Sequence, residues 1–586
     1  MKKTDRIYQL RAGIVNLRTP YFPDTPIPLD EQPRPQFARE GYIVLNGPWD
    51  YAIRQASEAI GSYDGKIVVP FSPECEASGV GRVLLPDEVL HYRRTVSLER
   101  VPPHLLLHFD AVDDRCTLTV NGRKVGTHRG GYLPFCFDIA PYVAVGENEI
   151  CLAVTDESDT GDQPRGKQTL SPGGIWYTPQ SGIWQTVWME ELPETYLPSC
   201  KITPDIDMGA VHFAFPVAGV SVTVYDGNER RFAIAEGQEL TMPMPRARLW
   251  SPEDPHLYRV TFRLGEDKVE SYFAMRKFSV MTDKKGYRRL ALNNKPYFHN
   301  GVLDQGYFPE SLLTPPSDEA MIADLTAVKA LGMNMVRKHI KTEPMRFYYH
   351  CDRMGVLVWQ DIVSGGKDYA FPVIAALPFV GIHLRDTGAA AYRRFRRENA
   401  EERAWFFRFA EETVEHFYNV PCLALYTVFN EGWGQYDSRA LAKRLRVIDP
   451  TRTYDETSGW HDQGDPATEL KSLHVYYKKV KMPHGERRAV VLSEFGGYSC
   501  PTEGHMFSPG KLFGYRMYKT KEELHTAVRH LYDTEVLPLM AKGLSATVYT
   551  QLSDVEEEIN GMLTYDRREN KFDGLDLTVA YREEDV

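Results

Sequence analysis

Over the first third of the chain, apolar and polar positions alternate in short runs broken by turn residues, the period-two signature of half-buried strands in an antiparallel sandwich. Residues 105–111 and 116–120 predict two such strands, and Asn121-Gly122 predicts a type I′ hairpin turn, because both residues tolerate the positive φ it demands. Similar runs at 149–154 and 184–189 extend the pattern to a first all-β module over residues 1–196, a jelly-roll-like sandwich. A second set, including 220–225 and 258–263, spans 197–283, enough for one immunoglobulin-like sandwich, with the Pro-rich 249–255 as a loop.

After residue 290 the period changes. Apolar strands alternate with amphipathic helices, the grammar of βα units around a parallel sheet. Eight strand candidates begin near Tyr297, Asn334, Val356, Leu423, Thr453, Leu473, Val490 and Ala546, so residues 284–586 predict a (β/α)8 barrel. Its first helix starts at Pro316-Ser317 with acidic Asp318 and Glu319. Met321, Leu325, Val328 and Leu331 form its apolar stripe, and Gly332 stops it. The fold class is therefore multidomain β plus α/β. The stretch 362–421 is long enough for a helix and an extra loop, and 365–387 is expected to overhang the pocket.

Function in such a barrel gathers at the C-terminal ends of the strands. Polar residues expected on that rim are Asp304 and Gln305 after the first strand, Arg337 and His339 after the second and Asp361 after the third. Asn430 and Glu431 follow the fourth strand, Tyr476 the sixth and Glu494 the seventh, with Tyr549, Gln551 and Asp554 at the eighth.

Composition narrows the partners. A net charge of -11 disfavours nucleic acid and anionic membranes, and no run approaches the roughly 18–20 apolar residues of a membrane span. The eight cysteines lack C-x-x-C spacing and read as buried free thiols. The first ten residues carry charge with no apolar stretch behind it, so a secretory leader is not expected and a cytoplasmic location is. A 12% aromatic content suits stacking on sugar faces or the filling of cores.

Glu431 and Glu494 each end a short apolar run, 423–430 and 490–493. Two carboxyl groups about 5 Å apart are the equipment of retaining glycoside hydrolysis, one to protonate the leaving oxygen and one to attack the anomeric carbon. Either alone is more often a paired strand-end carboxylate.

The ordered set Phe429-Asn430-Glu431-Gly432-Trp433-Gly434 and Ser493-Glu494-Phe495-Gly496-Gly497, behind two sandwiches, resembles glycoside hydrolase family 2, the family of bacterial β-galactosidases, β-glucuronidases and β-mannosidases. Gly130-Gly131-Tyr132, Gly182-Ile183-Trp184-Gln185 and the 332–339 stretch ending in Arg337-Lys338-His339 support it. The resemblance implies that Glu431 is the acid/base and Glu494 the nucleophile of an exo-acting retaining β-glycosidase, with Asn430 on the sugar 2-hydroxyl. It implies that Tyr476, or its neighbour Tyr477, bonds the nucleophile; period-two alternation turns only one of them inward and favours Tyr476. Arg337 would steady the nucleophile and His339 bind hydroxyls. Asp304 stands where many relatives carry a His-Glu pair. Arg165, on a loop that relatives send into the barrel mouth, either touches substrate or solvates its own loop. Trp433 and Trp460 either stack on sugar or pack the core. Gln305, Tyr549 and Gln551 complete the substrate-binding set.

Glucuronide-cleaving relatives carry Asn-x-Lys after the eighth strand. Here Asn560-Gly561-Met562 has Met instead, which favours a neutral glycone, a β-galactoside foremost. Lys338 or Lys167 as a substitute cation keeps the uronides, glucuronide or galacturonide, as the alternative. A carbohydrate-binding protein without turnover is the alternative of another class. No metal or other cofactor is expected to be required. The expected partner is a small or oligosaccharide β-glycoside, and the resemblance allows homo-oligomers.

Overall fold

The computed structural model describes residues 15–227, 229–367, 369–464 and 468–581. The N-terminal region packs a four-stranded against a six-stranded antiparallel sheet, with a core of its own that includes Trp49, Leu107, Leu118, Leu152 and Val187. The hairpin expected at Asn121-Gly122 forms, with φ of 49° and 73°, and Val120 pairs Arg123 across it. The strand expected at 184–189 instead runs over Val187–Leu192, after a two-residue strand at Gly182–Ile183. The next region packs three- and four-stranded sheets around Val222, Val260 and Phe273.

The C-terminal region is a parallel barrel of eight strands: β1 (His299–Asp304), β2 (Met335–Lys338), β3 (Leu357–Asp361), β4 (Leu423–Thr427), β5 (Thr453–Asp455), β6 (Leu470–Val475), β7 (Ala489–Gly496) and β8 (Leu544–Thr550). All eight expected strands are present, within three residues of the expected starts. The hydrogen-bonded order is β5-β4-β3-β2-β1-β8-β7-β6, so the barrel is near-closed, with β5 and β6 meeting at a seam. Side chains stitch this seam where the backbone ladder stops: Ser472 of β6 donates to Asp455 of β5 at 2.6 Å. The first helix spans Asp318–Ala330, capped by the Ser317 hydroxyl, which accepts from the Ala320 amide.

The barrel core is continuous with Tyr132, Tyr177, Trp184 and Trp250 of the sandwich regions, so the three layers share apolar surface. A backbone bridge joins Pro164 of the first sandwich to Gly365 after β3. A Cβ at Gly365 would lie 2.4 Å from the Gln163 carbonyl, which is why two glycines open this segment. All eight cysteines are free, but Cys136 is exposed and Cys151 and Cys200 are half-buried, so burial holds for only five. No helix among the described residues is long and apolar enough to cross a membrane.

Candidate active site

Glu431 lies just past β4, in the left-handed region at φ 48°, a conformation that costs a non-glycine residue energy and recurs at functional sites. Its amide donates to the Ser458 carbonyl at 3.0 Å, which anchors the turn to the loop after β5. Glu494 projects from β7 at a register irregularity: Leu473 pairs Leu492, whereas His474 pairs Glu494, leaving Ser493 as the extra residue. Such a bulge re-aims the side chain beside it. Oxygens of Glu431 and Glu494 and a nitrogen of His474 all lie within 4.8 Å of one another. The two carboxyls thus share one pocket at a separation that fits the retaining arrangement.

Arg337 organises the floor. Its guanidinium clasps Asp361 through two bonds of 3.0 Å, reaches Glu494 Oε1 at 3.2 Å and donates to Asn430 Oδ1 at 2.8 Å. Asn430 Oδ1 is thereby held, and Asn430 Nδ2 is buried with no hydrogen-bond partner among the described residues, a donor awaiting an acceptor. His339 gives Nδ1 to Asp361 at 3.0 Å and sits edge-on to Trp433. Burial pushes His339 down to about 4, so it is a neutral ring near pH 7, while Asp361, despite its burial, is held at about 2 by Arg337 and His339.

The two carboxyls are driven apart in acidity. Burial, then the adjacent charge of Glu494, raises Glu431 against the opposing pull of His474. Burial acts on Glu494 too, but the charges of His474 and Arg337 and the Tyr476 hydroxyl outweigh it and lower that group. A proton held on one carboxyl beside an ionised other is what an acid and a nucleophile need. Tyr476 does donate to Glu494, whereas Tyr477 is more than half exposed, as the alternation required.

Other expected residues fall at varied distances from this centre. Trp433 stacks with Tyr369 and contacts Trp176, and Trp460 meets Phe379, so the 365–387 segment does lie over the mouth. Gln305 donates to Gln551, which donates to Asn560, lining the β1–β8 side. Two placements correct the expectation, and a third, that of Arg165, falls on the loop side of its two readings. Asp304 is consumed by Lys338 Nζ at 2.7 Å and its own Gly306 amide, inside a buried cluster with Lys341 and Glu343, so neither Asp304 nor Lys338 is free for a sugar. Tyr549 points out of the barrel between Phe495 and Phe572, its hydroxyl accepting from the Tyr498 amide, because strand alternation turns Thr550 inward instead. Arg165 bonds the Gln168 carbonyl at 2.7 Å and lies over Tyr369, pinning its loop.

Two further residues stand at the centre: Lys167, expected from the sequence only as a substitute cation, and His474, for which no role was expected. Lys167, two positions beyond Arg165, is buried with Nζ 3.4 Å from the Tyr177 hydroxyl, 3.9 Å from Glu558 and 5.9 Å from the Trp433 ring. Its charge reaches Glu431. His474 places Nδ1 2.8 Å from Glu431 Oε1 and 3.5 Å from Glu494 Oε2. It lies two residues before Tyr476 on the same strand face, and that i, i+2 relation was the available signal. Glu431, His474 and Glu494 are also the one group of metal-ligand spacing among the described residues.

Two carboxyls in one pocket at the C-terminal mouth of a (β/α)8 barrel are the arrangement that retaining glycosidases use. Models of glycosyl hydrolases family 2 match residues 86–193 (sugar binding domain), 214–276 and 287–568 (TIM barrel domain), and the chain belongs to glycoside hydrolase family 2. Similar proteins include the β-galactosidase of Thermoanaerobacter pseudethanolicus, 25% identical over 68% of this chain and 52% of the relative, and that of Aeromonas hydrophila, 26% identical over 62% and 34%. The match thus spans about a third to a half of those relatives' length. The β-D-glucuronidase of Dictyoglomus thermophilum superposes with a TM-score of 0.68 at 16% identity over 91% of this chain and 96% of that one. A β-galacturonidase of Eisenbergiella tayi does so with 0.66 at 19%, over 91% and 96%.

Proposed function

We propose that this protein is an exo-acting retaining β-glycosidase, with Glu431 as acid/base and Glu494 as nucleophile. The observation that carries this reading is the placement of both carboxyls within 4.8 Å of a common histidine, with opposite shifts in acidity. In the first step Glu494 attacks the anomeric carbon while Glu431 passes its proton to the leaving oxygen. In the second, Glu431 takes a proton from water, which displaces Glu494 and restores the starting configuration. Asn430 Nδ2 meets the 2-hydroxyl, a bond that strengthens as charge develops on the ring.

For the glycone, a neutral β-galactoside is the first reading. It is supported by the naming of the curated relatives and by Met562, which is buried where glucuronide-cleaving relatives carry lysine. One observation favours a uronide as the second: among the described residues the polar contacts of the Lys167 ammonium, with three donors, are the long ones to Tyr177 and Glu558. Hydrolysis of 4-nitrophenyl β-D-galactoside, β-D-glucuronide and β-D-galacturonide by the wild type and by Glu494→Gln tests both levels. Turnover lost in Glu494→Gln and a first product of retained configuration by proton NMR support the mechanism. Turnover that survives Glu494→Gln, or an inverted product, overturns it.

A further inference from the structure

His474 occupies a position that the two-carboxyl scheme does not require. Its ring stands in the β5–β6 seam, where the backbone ladder is missing and side chains replace it. On one side Nδ1 faces Glu431 Oε1 at 2.8 Å and Glu494 Oε2 at 3.5 Å; the ionised Glu494 can only accept, which assigns the hydrogen to Nδ1. On the other side Nε2 lies 3.0 Å from Ser458 Oγ. Behind it, Ser458 is 3.0 Å from Ser493 Oγ, Ser493 is 2.6 Å from Ser472 Oγ, and Ser472 is 2.6 Å from the buried Asp455. The ring is clamped: Gly459 packs on it at φ 80°, and a Cβ there would lie 2.4 Å from the imidazole carbon.

A chain of hydroxyls behind a histidine has a specific property. If the ring is neutral, Ser458 donates its hydrogen to Nε2. If the ring is protonated, Nε2 donates to Ser458, which turns its hydrogen to Ser493, and Ser493 donates to the Leu473 carbonyl at 3.3 Å. In both states Ser472 satisfies Asp455, and no buried donor is left without an acceptor. The ring can gain or lose a proton without moving.

Resting on the assignment of Glu431 as acid/base, we propose that His474 is its positioning residue: a histidine that keeps Nδ1–H on Glu431 Oε1 in either protonation state, so that the transferable proton resides on Oε2. Among the described residues no donor reaches Oε2, so it is the oxygen left to address the leaving group. When Glu431 has given up its proton, the same Nδ1–H stabilises the carboxylate until water is deprotonated. The charged groups around the ring are Glu431 beyond β4, Glu494 on β7 and Asp455 on β5. Arg337 of β2 acts on Glu494 and Asp455, and Lys167 of the first sandwich on Glu431.

A donor that acts through the acid matters in proportion to how much the leaving group needs the acid. The test compares 2,4-dinitrophenyl and methyl β-glycosides of the sugar that the wild type cleaves, in His474→Ala, His474→Asn and Glu431→Gln, the second keeping an amide donor near the place of Nδ1. His474→Ala is expected to lose about 100-fold in kcat/KM on the methyl glycoside and under about fivefold on the dinitrophenyl glycoside, within the range of general acid catalysis. His474→Asn is expected to restore most of that loss, whereas His474→Ala is expected to move the alkaline limb of the methyl-glycoside pH profile upward, since the hydrogen-bond donor that held Glu431 down is gone there and kept by the amide. Equal losses on both substrates in His474→Ala, or an unmoved alkaline limb in His474→Ala, overturn the proposal. Glu431→Gln separates the two levels: if it shows no dependence on the leaving group, the acid/base assignment itself fails.

Discussion

Arg337 Nη1 lies 3.2 Å from Glu494 Oε1 while the same guanidinium clasps Asp361 and fixes Asn430, so one buried cation sets the charge of the proposed nucleophile and the orientation of the proposed 2-hydroxyl donor. Both it and Asp361 are fully enclosed. Replacing Arg337 by Met leaves two buried carboxylates without their partner, and removing one member of such a pair costs about 3–5 kcal/mol. Urea unfolding of Arg337→Met is expected to show a lower midpoint at an unchanged slope, together with loss of turnover. A variant as stable as the wild type would contradict this account of the floor.

Among the described residues Asn430 Nδ2 is buried without a hydrogen-bond partner, and the proposed reading gives it the sugar 2-hydroxyl. Asn430→Ala is expected to lose about 1.5–3 kcal/mol of transition-state stabilisation, roughly 10- to 100-fold in kcat/KM. The same substitution is expected to have little effect on a 2-deoxyglycoside. Kinetics of the two substrates with the two enzymes form a cycle that isolates this contact.

The acidities of the carboxyl pair predict a bell-shaped profile of kcat/KM. Activity rises as Glu494, lowered below the ordinary carboxyl range, loses its proton, and falls as Glu431, raised above it, loses its own. Moving Glu431 to Gln is expected to abolish the alkaline limb on an activated aryl glycoside while the acid limb stays. Rates from pH 3 to 10 check both limbs.

Lys167 divides the two glycone readings. If the sugar carries a carboxylate, Lys167→Met loses a charge-assisted bond worth about 1.5–3 kcal/mol, so kcat/KM falls roughly 10- to 100-fold on the uronide and changes far less on the galactoside. If the ammonium reads only hydroxyls, the loss appears on the galactoside. The 4-nitrophenyl panel reads out which.

Stability also has a pH signature away from the site. Burial pushes Glu74 up to about 8 and Glu556 to about 7. The folded chain therefore holds protons that the unfolded chain releases above its ordinary carboxyl range, so each group lowers stability as pH rises from about 4.5 through its folded value, by on the order of 1.4 kcal/mol per pH unit while the folded group stays protonated. Glu74→Gln is expected to flatten this decline between pH 5 and 8 in urea titrations. A decline as steep as that of the wild type would remove Glu74 as its source.

The sequence by itself determined the architecture and the two carboxyls, because both are local in origin. Strand and helix periods are written in neighbouring residues, as at 116–122 and 317–332, and the Asn430-Glu431 and Glu494 motifs carry their place at strand ends with them. It also separated Tyr476 from Tyr477, since alternation along one strand is a local rule. Only the tertiary structure decided which rim residues are free. Asp304 and Lys338, well placed on the rim, neutralise each other, and Tyr549 turns outward because pairing sets the facing of β8. Lys167 comes from a separate sandwich, more than 250 residues away in sequence, and His474 gains its two glutamate neighbours from β4 and β7 across the barrel. The charge state and free valence of a side chain depend on who sits within about 4 Å of it, and that is a property of the folded chain rather than of its order.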